Sequence, residues 1–192
     1  MTTDGSSKGG ARNSTGDKPA RSARREPEIP QAAAALTPEG EALAEALPVM
    51  LASHGVEMSA AIDEVVCRVP ADHLVDVCRQ LKDDPGLAFD YLRLLTVVDY
   101  VEQDGEFEIV YHLYSLGRHH KMMLKTRVPE RRPAVPSVTG VWRGADWYER
   151  EMHDLFGVNF TGHPNLAPLV LPDDFEGFPG RKSYPLNDYD EW

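Results

Sequence analysis

The chain has 192 residues, of which 42% are hydrophobic, and a formal net charge of −11 at pH 7. This length predicts one domain with a tail, and no apolar run approaches the ~18 residues that span a bilayer. An acidic chain matches nucleic acid and anionic lipid poorly, so we expect any membrane association to come through protein partners.

The chain is predicted to have three parts. Residues 1–30 are rich in Gly, Ser, Thr, Ala and Arg and contain almost no large apolar side chain, which predicts a disordered tail. Residues 31–161 carry the periodic apolar patterns and are predicted to form the folded domain. Residues 162–192 lack a regular period and are predicted to form an extended C-terminal docking arm.

The first half of the domain predicts a helix, a strand and a second helix. Thr37 is a suitable N-cap and Pro38 suits the first helical position, so a helix is predicted from there to Gly55, with a kink or an early break at Pro48. A strand is predicted over residues 62–69, where apolar side chains alternate. Four residues at helical spacing mark the second helix: Leu74, Val77, Cys78 and Leu81.

The second half predicts an antiparallel meander. A short helical turn is predicted at residues 91–95, before a strand over 97–101, and Asp104-Gly105 predicts a hairpin. The inward faces of the next two strands are expected to be Phe107, Ile109, Tyr111 and Leu113, and then Met122, Leu124, Thr126 and Val128. The predicted class is a two-layer α+β fold, with helices on one face of a small, mainly antiparallel sheet and an extended Pro-rich C-terminal arm.

Motifs for redox cofactors are missing from the sequence. It has no phosphate-binding glycine loop, no dinucleotide fingerprint and no cysteine cluster for iron–sulfur binding. The two cysteines, Cys67 and Cys78, are predicted to be buried core thiols in a reducing compartment.

A short helix is predicted to start near Asp146, which can act as its N-cap, with Glu149 completing a capping box. Gly157 suits the left-handed C-terminal cap. The expected apolar face consists of Trp147, Tyr148, Met152, Leu155 and Phe156. Glu151 projects among these residues and is predicted to be a paired carboxylate at the edge of a contact, whereas Glu149 is placed on the wetter side.

The segment after this helix combines recurring prolines with many large apolar side chains. Prolines exclude a long helix or a central strand, and the aromatic content argues against disorder. Two interpretations stay open: the segment lies on a partner, or it folds back on its own domain.

The run EREMHDLFGVNFTGHPNL, followed by LPDDFEG and RKSYPL, resembles the C subunit of the proton-translocating NADH-quinone oxidoreductases, respiratory complex I (the 30 kDa subunit family). One departure is Ala167-Pro168, where the family commonly has a basic residue. The resemblance implies that the matching positions dock on partner subunits: Glu149, Arg150, Glu151, Asp154, Phe156, Gly157, Gly162, His163, Pro164, Leu171, Pro172, Asp173, Arg181, Lys182, Tyr184 and Pro185.

This resemblance implies a non-catalytic structural subunit of the peripheral arm of the complex, on the cytoplasmic face of the cell membrane. It would pack against the quinone-site subunit and the neighbouring iron–sulfur subunit. No cofactor is expected on this chain, since NADH, flavin, iron–sulfur clusters and quinone belong to partner subunits. The equivalent subunit of a related complex, with another electron donor or as a membrane-bound hydrogenase, remains an alternative.

A free-standing metal-dependent hydrolase, using His153, His163 and nearby carboxylates, is a third possibility, and a soluble regulatory module is a fourth. The pattern lacks the spacing of known zinc helices. Glu149 and Glu151 diverge by about 160° on a helix and therefore cannot share one substrate. Their geometry favours docking over acid–base catalysis.

Overall fold

A computed structural model describes residues 36–185 of the chain. The predicted tail at residues 1–30 and the last part of the arm, residues 186–192, lie outside the described residues. The helices are α1 Pro38–Met50, α2 Leu74–Asp83, α3 Val101–Asp104 and α4 Ala145–Phe156. The strands are β1 Glu57–Ala61, β2 Glu64–Arg68, β3 Tyr91–Asp99, β4 Glu106–Tyr114, β5 Lys121–Pro129, β6 Ala134–Pro136 and β7 Asn159–Thr161.

Five strands form the main sheet, in the order β1-β2-β5-β4-β3. Every neighbouring pair is antiparallel except β2 with β5, which is parallel. The short strands β6 and β7 form a separate parallel pair that the sequence did not predict. The predicted α+β class with a mainly antiparallel sheet is confirmed. Within residues 36–185, every helix is too short or too polar to cross a bilayer.

Helix α1 begins as predicted, with the Thr37 side chain accepting a hydrogen bond from the Gly40 amide at 3.2 Å. Pro48 lies inside the helix, which ends two residues later at Met50. The chain then makes a short 3₁₀ turn up to Gly55, whose left-handed conformation ends the helical segment. The predicted early break is therefore a change from α-helix to 3₁₀ turn shortly after Pro48, which lacks the backbone N–H needed to continue the α-helical bonding.

The strand predicted over residues 62–69 is confirmed as β2, although it begins only at Glu64, because Ile62 turns the chain between β1 and β2 in a left-handed conformation. Strand β1 was not predicted. The helical turn predicted at residues 91–95 was wrong, because these residues form the start of β3. A register shift between Leu92 and Leu94 brings both Leu92 and Leu95 into the core and leaves Leu94 41% exposed. A β-bulge thus gave this strand the i,i+3 spacing that is typical of a helix.

The core lies between one face of the sheet and the helices α1, α2 and α4. The predicted inward faces of β4 and β5 are all buried. Cys67 and Cys78 are buried thiols, as predicted. Burial raises the pKa of Cys67 to about 12, so that thiol stays protonated and unreactive near neutral pH.

The opposite face of the sheet is held by a buried carboxylate. Glu108 is only 1% exposed, and it accepts hydrogen bonds from Lys125 at 2.8 Å, Arg127 at 3.1 Å and Arg68 at 3.4 Å. Burial raises the pKa of Glu108, but the hydrogen bonds from Lys125 and Arg127 outweigh it, so the net pKa is lowered. The carboxylate therefore remains ionised and ties β2, β4 and β5 together.

Glu108→Ala is expected to lower the free energy of unfolding by about 3 kcal/mol, since it leaves cationic side chains on the sheet without their buried partner. Glu57→Ala removes a carboxylate that is 76% exposed and also pairs with Arg68; it should cost less than about 1 kcal/mol. Urea unfolding of both variants measures the difference, and equal losses would contradict the bridging role of Glu108.

Candidate functional site

Helix α4 places most of the acidic and basic residues on which the family resemblance depends. It begins at Ala145 after Gly144, with no side-chain cap, so the predicted N-cap role of Asp146 is wrong. The Asp146 carboxylate instead lies 3.3 Å from the His163 ring. The predicted C-terminal cap is confirmed: Gly157 has φ 71° and its amide bonds to the His153 carbonyl.

The predicted faces of α4 were wrong. Glu149 is fully buried, together with Ala145 and Met152, at positions i, i+4 and i+7. Trp147, which was expected to face the core, is 68% exposed. Helical periodicity placed Glu149 on the outward side of α4, but a buried carboxylate is stable when polar groups satisfy it.

Those polar groups come from the segment after β6. The two carboxylate oxygens of Glu149 accept hydrogen bonds from the Val138 amide at 2.7 Å and the Ser137 hydroxyl at 2.6 Å. Burial raises the pKa of Glu149 to about 7, against the lowering effect of these two bonds, and the nearby Asp146 charge raises it further. Sequence reasoning missed Ser137 and Val138, since nothing local marks them as partners of α4.

His163, in the turn after β7, completes this buried cluster. Its side chain is fully buried, with Nε2 at 3.3 Å from Asp146 and 4.0 Å from Glu149. Its Nδ1 accepts a hydrogen bond from the Asn165 amide at 3.0 Å, so the ring hydrogen lies on Nε2, facing the two carboxylates. The preceding Gly162 has φ 82°, a conformation that favours glycine.

On the outer side of α4, Arg150 and Asp154 bind the backbone of the arm. Arg150 donates to the carbonyls of Ala167 and Pro168, both at 2.9 Å. Asp154 accepts from the amides of Leu169 at 2.7 Å and Val170 at 2.9 Å, and from Leu171 at 3.4 Å. Although Arg150 and Asp154 lie four residues apart on the helix, each side chain is engaged by the arm backbone.

These backbone contacts hold Asp154 in its charged form. Burial raises the pKa of Asp154, but the hydrogen bonds from the three arm amides lower it by more. The contacts also concern Ala167-Pro168, where the family commonly has a basic residue. Arg150 binds the backbone carbonyls of these two residues, and a backbone carbonyl is present whatever the side chain.

A second anchor lies at the end of α4. The Gly180 amide donates to the Leu155 carbonyl at 2.9 Å, and Arg181 donates to the Phe156 carbonyl at 2.8 Å. The Arg181 guanidinium also lies over the rings of Phe178 at 4.5 Å and Phe107 at 5.1 Å. These cation–π contacts fix the arm against the edge of the core.

Gly157 is required at this anchor for a second reason. A Cβ atom there would lie 2.6 Å from the Phe178 ring and 2.8 Å from Arg181. Further along, the Lys182 amide donates to the buried Asp99 carboxylate at 2.9 Å, and the rings of Tyr184 and Phe175 stack 6.2 Å apart. Sequence reasoning did not identify Asp99, which lies 83 residues before Lys182.

The described part of the arm, residues 162–185, therefore contacts its own domain through its backbone and through the side chains of His163 and Arg181. Its outward side chains include Val170, Phe175 and Phe178, which are 38–56% exposed. The two interpretations left open by the sequence each apply to one side of this segment. The inner side folds back on the domain, and the outer side carries the exposed apolar side chains. The fold-back is seen directly, and docking of the exposed side remains a prediction, including at Pro164, Pro172, Asp173 and Pro185.

The structure does not bring together the residues of the predicted hydrolase site. His153 faces the Val158 carbonyl at 2.9 Å, whereas His163 lies with Asp146. Within the part of the chain that the structure describes, no group of three or more His, Cys, Asp and Glu side chains is placed to hold a metal ion.

Glu149 should make stability depend on pH. Its pKa is raised from 4.5 to about 7, so between these values the folded chain holds a proton that the unfolded chain has lost. The free energy of unfolding therefore falls as pH rises from about 4.5 to about 7, by up to about 3 kcal/mol from this group. Glu149→Gln keeps the shape without the titration, so its stability relative to the unmodified chain should rise over that range.

Thermal unfolding of both proteins from pH 5 to pH 8 measures this difference. Glu151→Gln is the matched control, because it removes a carboxylate from the outer side of the same helix. A stability difference for Glu149→Gln that stays constant with pH would contradict the buried placement of this carboxylate.

Asp154→Ala should release the arm, since it removes the acceptor of three arm amides, with an expected cost of about 1–3 kcal/mol. Thermolysin cleaves before large apolar residues, so the bonds before Leu169, Val170 and Leu171 should be cut several-fold faster in this variant. Asp174→Ala, at an exposed arm position, is the control. Equal cleavage rates in both variants would show that Asp154 does not hold the arm.

Comparison with known proteins identifies the family to which this arrangement belongs. The profile of the respiratory-chain NADH dehydrogenase 30 kDa subunit matches residues 67–190. The NADH-quinone oxidoreductase C subunit of Roseiflexus castenholzii is 48% identical over 118 residues, 62% of this chain and 68% of that protein. The corresponding C 2 subunit of Rhizobium meliloti is 47% identical over 121 residues, 63% of this chain and 66% of that protein.

Two solved structures share the fold. The trypsin-resistant fragment of Nqo5 superposes with a TM-score of 0.57 at 28% identity, over 64% of this chain and 98% of that one. A chain of the membrane-bound sulfane sulfur reductase, an archaeal respiratory membrane complex, gives 0.64 at 30% identity, over 77% of this chain and 94% of that one. The chain thus belongs to the family of the 30 kDa subunit of the respiratory-chain NADH dehydrogenase.

Proposed function

We propose that this chain is a non-catalytic structural subunit of the peripheral arm of a proton-pumping NADH:quinone oxidoreductase. It docks on the quinone-site subunit and on the neighbouring iron–sulfur subunit. The family match over residues 67–190 carries this proposal, because that range includes β3, β4, β5, α4 and the described part of the arm.

The geometry of α4 supports a structural role for its charged residues. Both oxygens of Glu149 are occupied inside the protein, and Arg150 and Asp154 are engaged by the arm backbone. Glu149 and Glu151 face opposite sides of the helix, so they cannot flank one substrate. These groups organise the chain and leave its outer surface for assembly.

In this proposal the cofactors belong to the partners. NADH, flavin, iron–sulfur clusters and quinone are bound by other subunits, and this chain contributes rigidity and a docking surface. Those partners hold it at the cytoplasmic face of the cell membrane. The exposed side of the arm, with Phe175, Phe178 and the partner-docking positions named from the sequence, forms part of the contact.

A second candidate is the equivalent subunit of a related respiratory complex with a different electron donor. The likeness to a chain of the membrane-bound sulfane sulfur reductase, with a TM-score of 0.64 at 30% identity, supports this candidate. The two candidates share the docking role and differ in the electron donor of the assembled complex.

A tagged chain expressed in its native cells and purified from detergent-solubilised membranes tests the proposal. We expect it to recover iron–sulfur subunits and NADH-dependent quinone reduction. Recovery of the chain alone would contradict the docking role. Recovery of a complex that reduces quinone from another donor, and not from NADH, would select the second candidate.

A chain truncated after Thr161 is the matched variant for the arm. All buried hydrophobic residues of the described core precede Thr161, so we expect near-normal circular dichroism and loss of co-purification. Loss of the fold would show that the arm belongs to the core, and full assembly of the truncated chain would show that the arm does not dock.

A further inference from the structure

An open groove lies between the start of β3, the first half of α4 and the arm. It has a volume of about 630 Å³. Its wall includes two of the most exposed large apolar side chains of residues 36–185, Trp147 and Val170, at 68% and 56%. The lining residues are Tyr91, Leu92, Gly144, Trp147, Tyr148, Glu151, Leu169 and Val170.

Glu151 is the charged residue of this groove, and it differs from the other carboxylates of α4. Asp146 faces His163, Glu149 is held by Ser137 and Val138, and Asp154 is held by the arm. Among residues 36–185, Glu151 has neither a hydrogen-bond donor nor a basic partner. The Glu151 oxygens are not among the buried unsatisfied atoms of residues 36–185, so this carboxylate reaches the surface of the groove, where its negative charge and the neighbouring aromatic rings suit a cationic group.

The groove does not favour an added β-strand, although β3 is an edge strand of the sheet. A bulge at Arg93 interrupts the strand. The Tyr148 hydroxyl also donates to the Arg93 carbonyl at 2.9 Å, which occupies one backbone group. A bulge protects an edge strand from pairing, and the Tyr148 hydroxyl competes for one backbone acceptor, so we expect recognition here through side chains.

We propose that the groove receives an arginine side chain from a neighbouring subunit of the complex. Its guanidinium pairs with Glu151, and its planar face packs on Trp147 or Tyr148. Arginine fits this combination because its guanidinium forms bidentate hydrogen bonds with a carboxylate and also stacks on aromatic rings. The inference rests on the proposed function and adds the residue chemistry of one contact.

A second copy of this chain fits the groove less well. The chain carries a net charge of −11. Most basic side chains in residues 36–185 already contact carboxylate or carbonyl oxygens of their own chain. Two acidic copies would also repel one another, whereas a partner with an exposed arginine would be attracted.

Photo-crosslinking within the assembled complex tests the contact directly. Trp147 is replaced by benzoylphenylalanine, which its exposure should allow without loss of the fold, and the complex is purified and irradiated. We expect a crosslink to a peptide of another subunit that contains an arginine. A crosslink to a second copy of this chain, to a peptide without arginine, or to no other subunit would overturn the proposal.

Substitutions then test the charge. Glu151→Gln and Trp147→Leu should each raise the dissociation rate of the chain from the complex about tenfold at moderate salt, the effect of losing one charge-assisted contact. Glu102→Gln, which removes an exposed carboxylate from α3, should change the rate less than about twofold, because an exposed charge outside the groove contributes little. Dissociation of Glu151→Gln should also depend less on ionic strength.

Charge exchange separates this inference from the proposed function. Glu151→Arg should weaken assembly, and replacing the crosslinked arginine of the partner by Glu should restore it. If the unmodified chain assembles and the Glu151 and Trp147 variants assemble equally well, the groove proposal is wrong and the docking role stands. If the unmodified chain does not assemble at all, the proposed function fails instead.

Discussion

The two hydrogen bonds that Ser137 and Val138 donate to the buried Glu149 carboxylate fix the position of α4. A carboxylate costs several kcal/mol to bury unless its oxygens are satisfied, so the helix can pack in this orientation only when the segment after β6 is in place. His163 and Asp146 extend the same cluster to the turn after β7. The inner side of α4 is therefore specified by polar partners as much as by apolar packing.

The outer side of α4 follows from this orientation. With Glu149 inward, Arg150 and Asp154 face the arm and bind its backbone, which has few internal hydrogen bonds of its own. A proline-rich segment without strand or helix needs such acceptors and donors, because its backbone groups must be satisfied by another surface or by water. The arm thus remains ordered on the domain and still presents apolar side chains outward.

Most of the sheet could be predicted from the sequence, because burial alternates along β5 and every second residue of β4 from Phe107 to Leu113 is apolar and buried. The errors have definite physical causes. A bulge gave β3 helical spacing, and β1 buries too little to show a pattern. On α4, helical periodicity could not reveal that Glu149 faces inward, since its partners lie 11 and 12 residues earlier in the chain. The resemblance located the important residues without showing which face inward, so the motif identified the family more reliably than the role of each side chain.

Hydrogen exchange of the isolated chain most directly tests the central claim that α4 holds the core on one side and the arm on the other. We predict that the amides of Val138, Leu169, Val170 and Gly180 exchange far more slowly than in an unstructured peptide, without any partner present. Protection of Val138 together with free-peptide exchange at Leu169, Val170 and Gly180 would contradict this claim, because the arm would then need another subunit to become ordered.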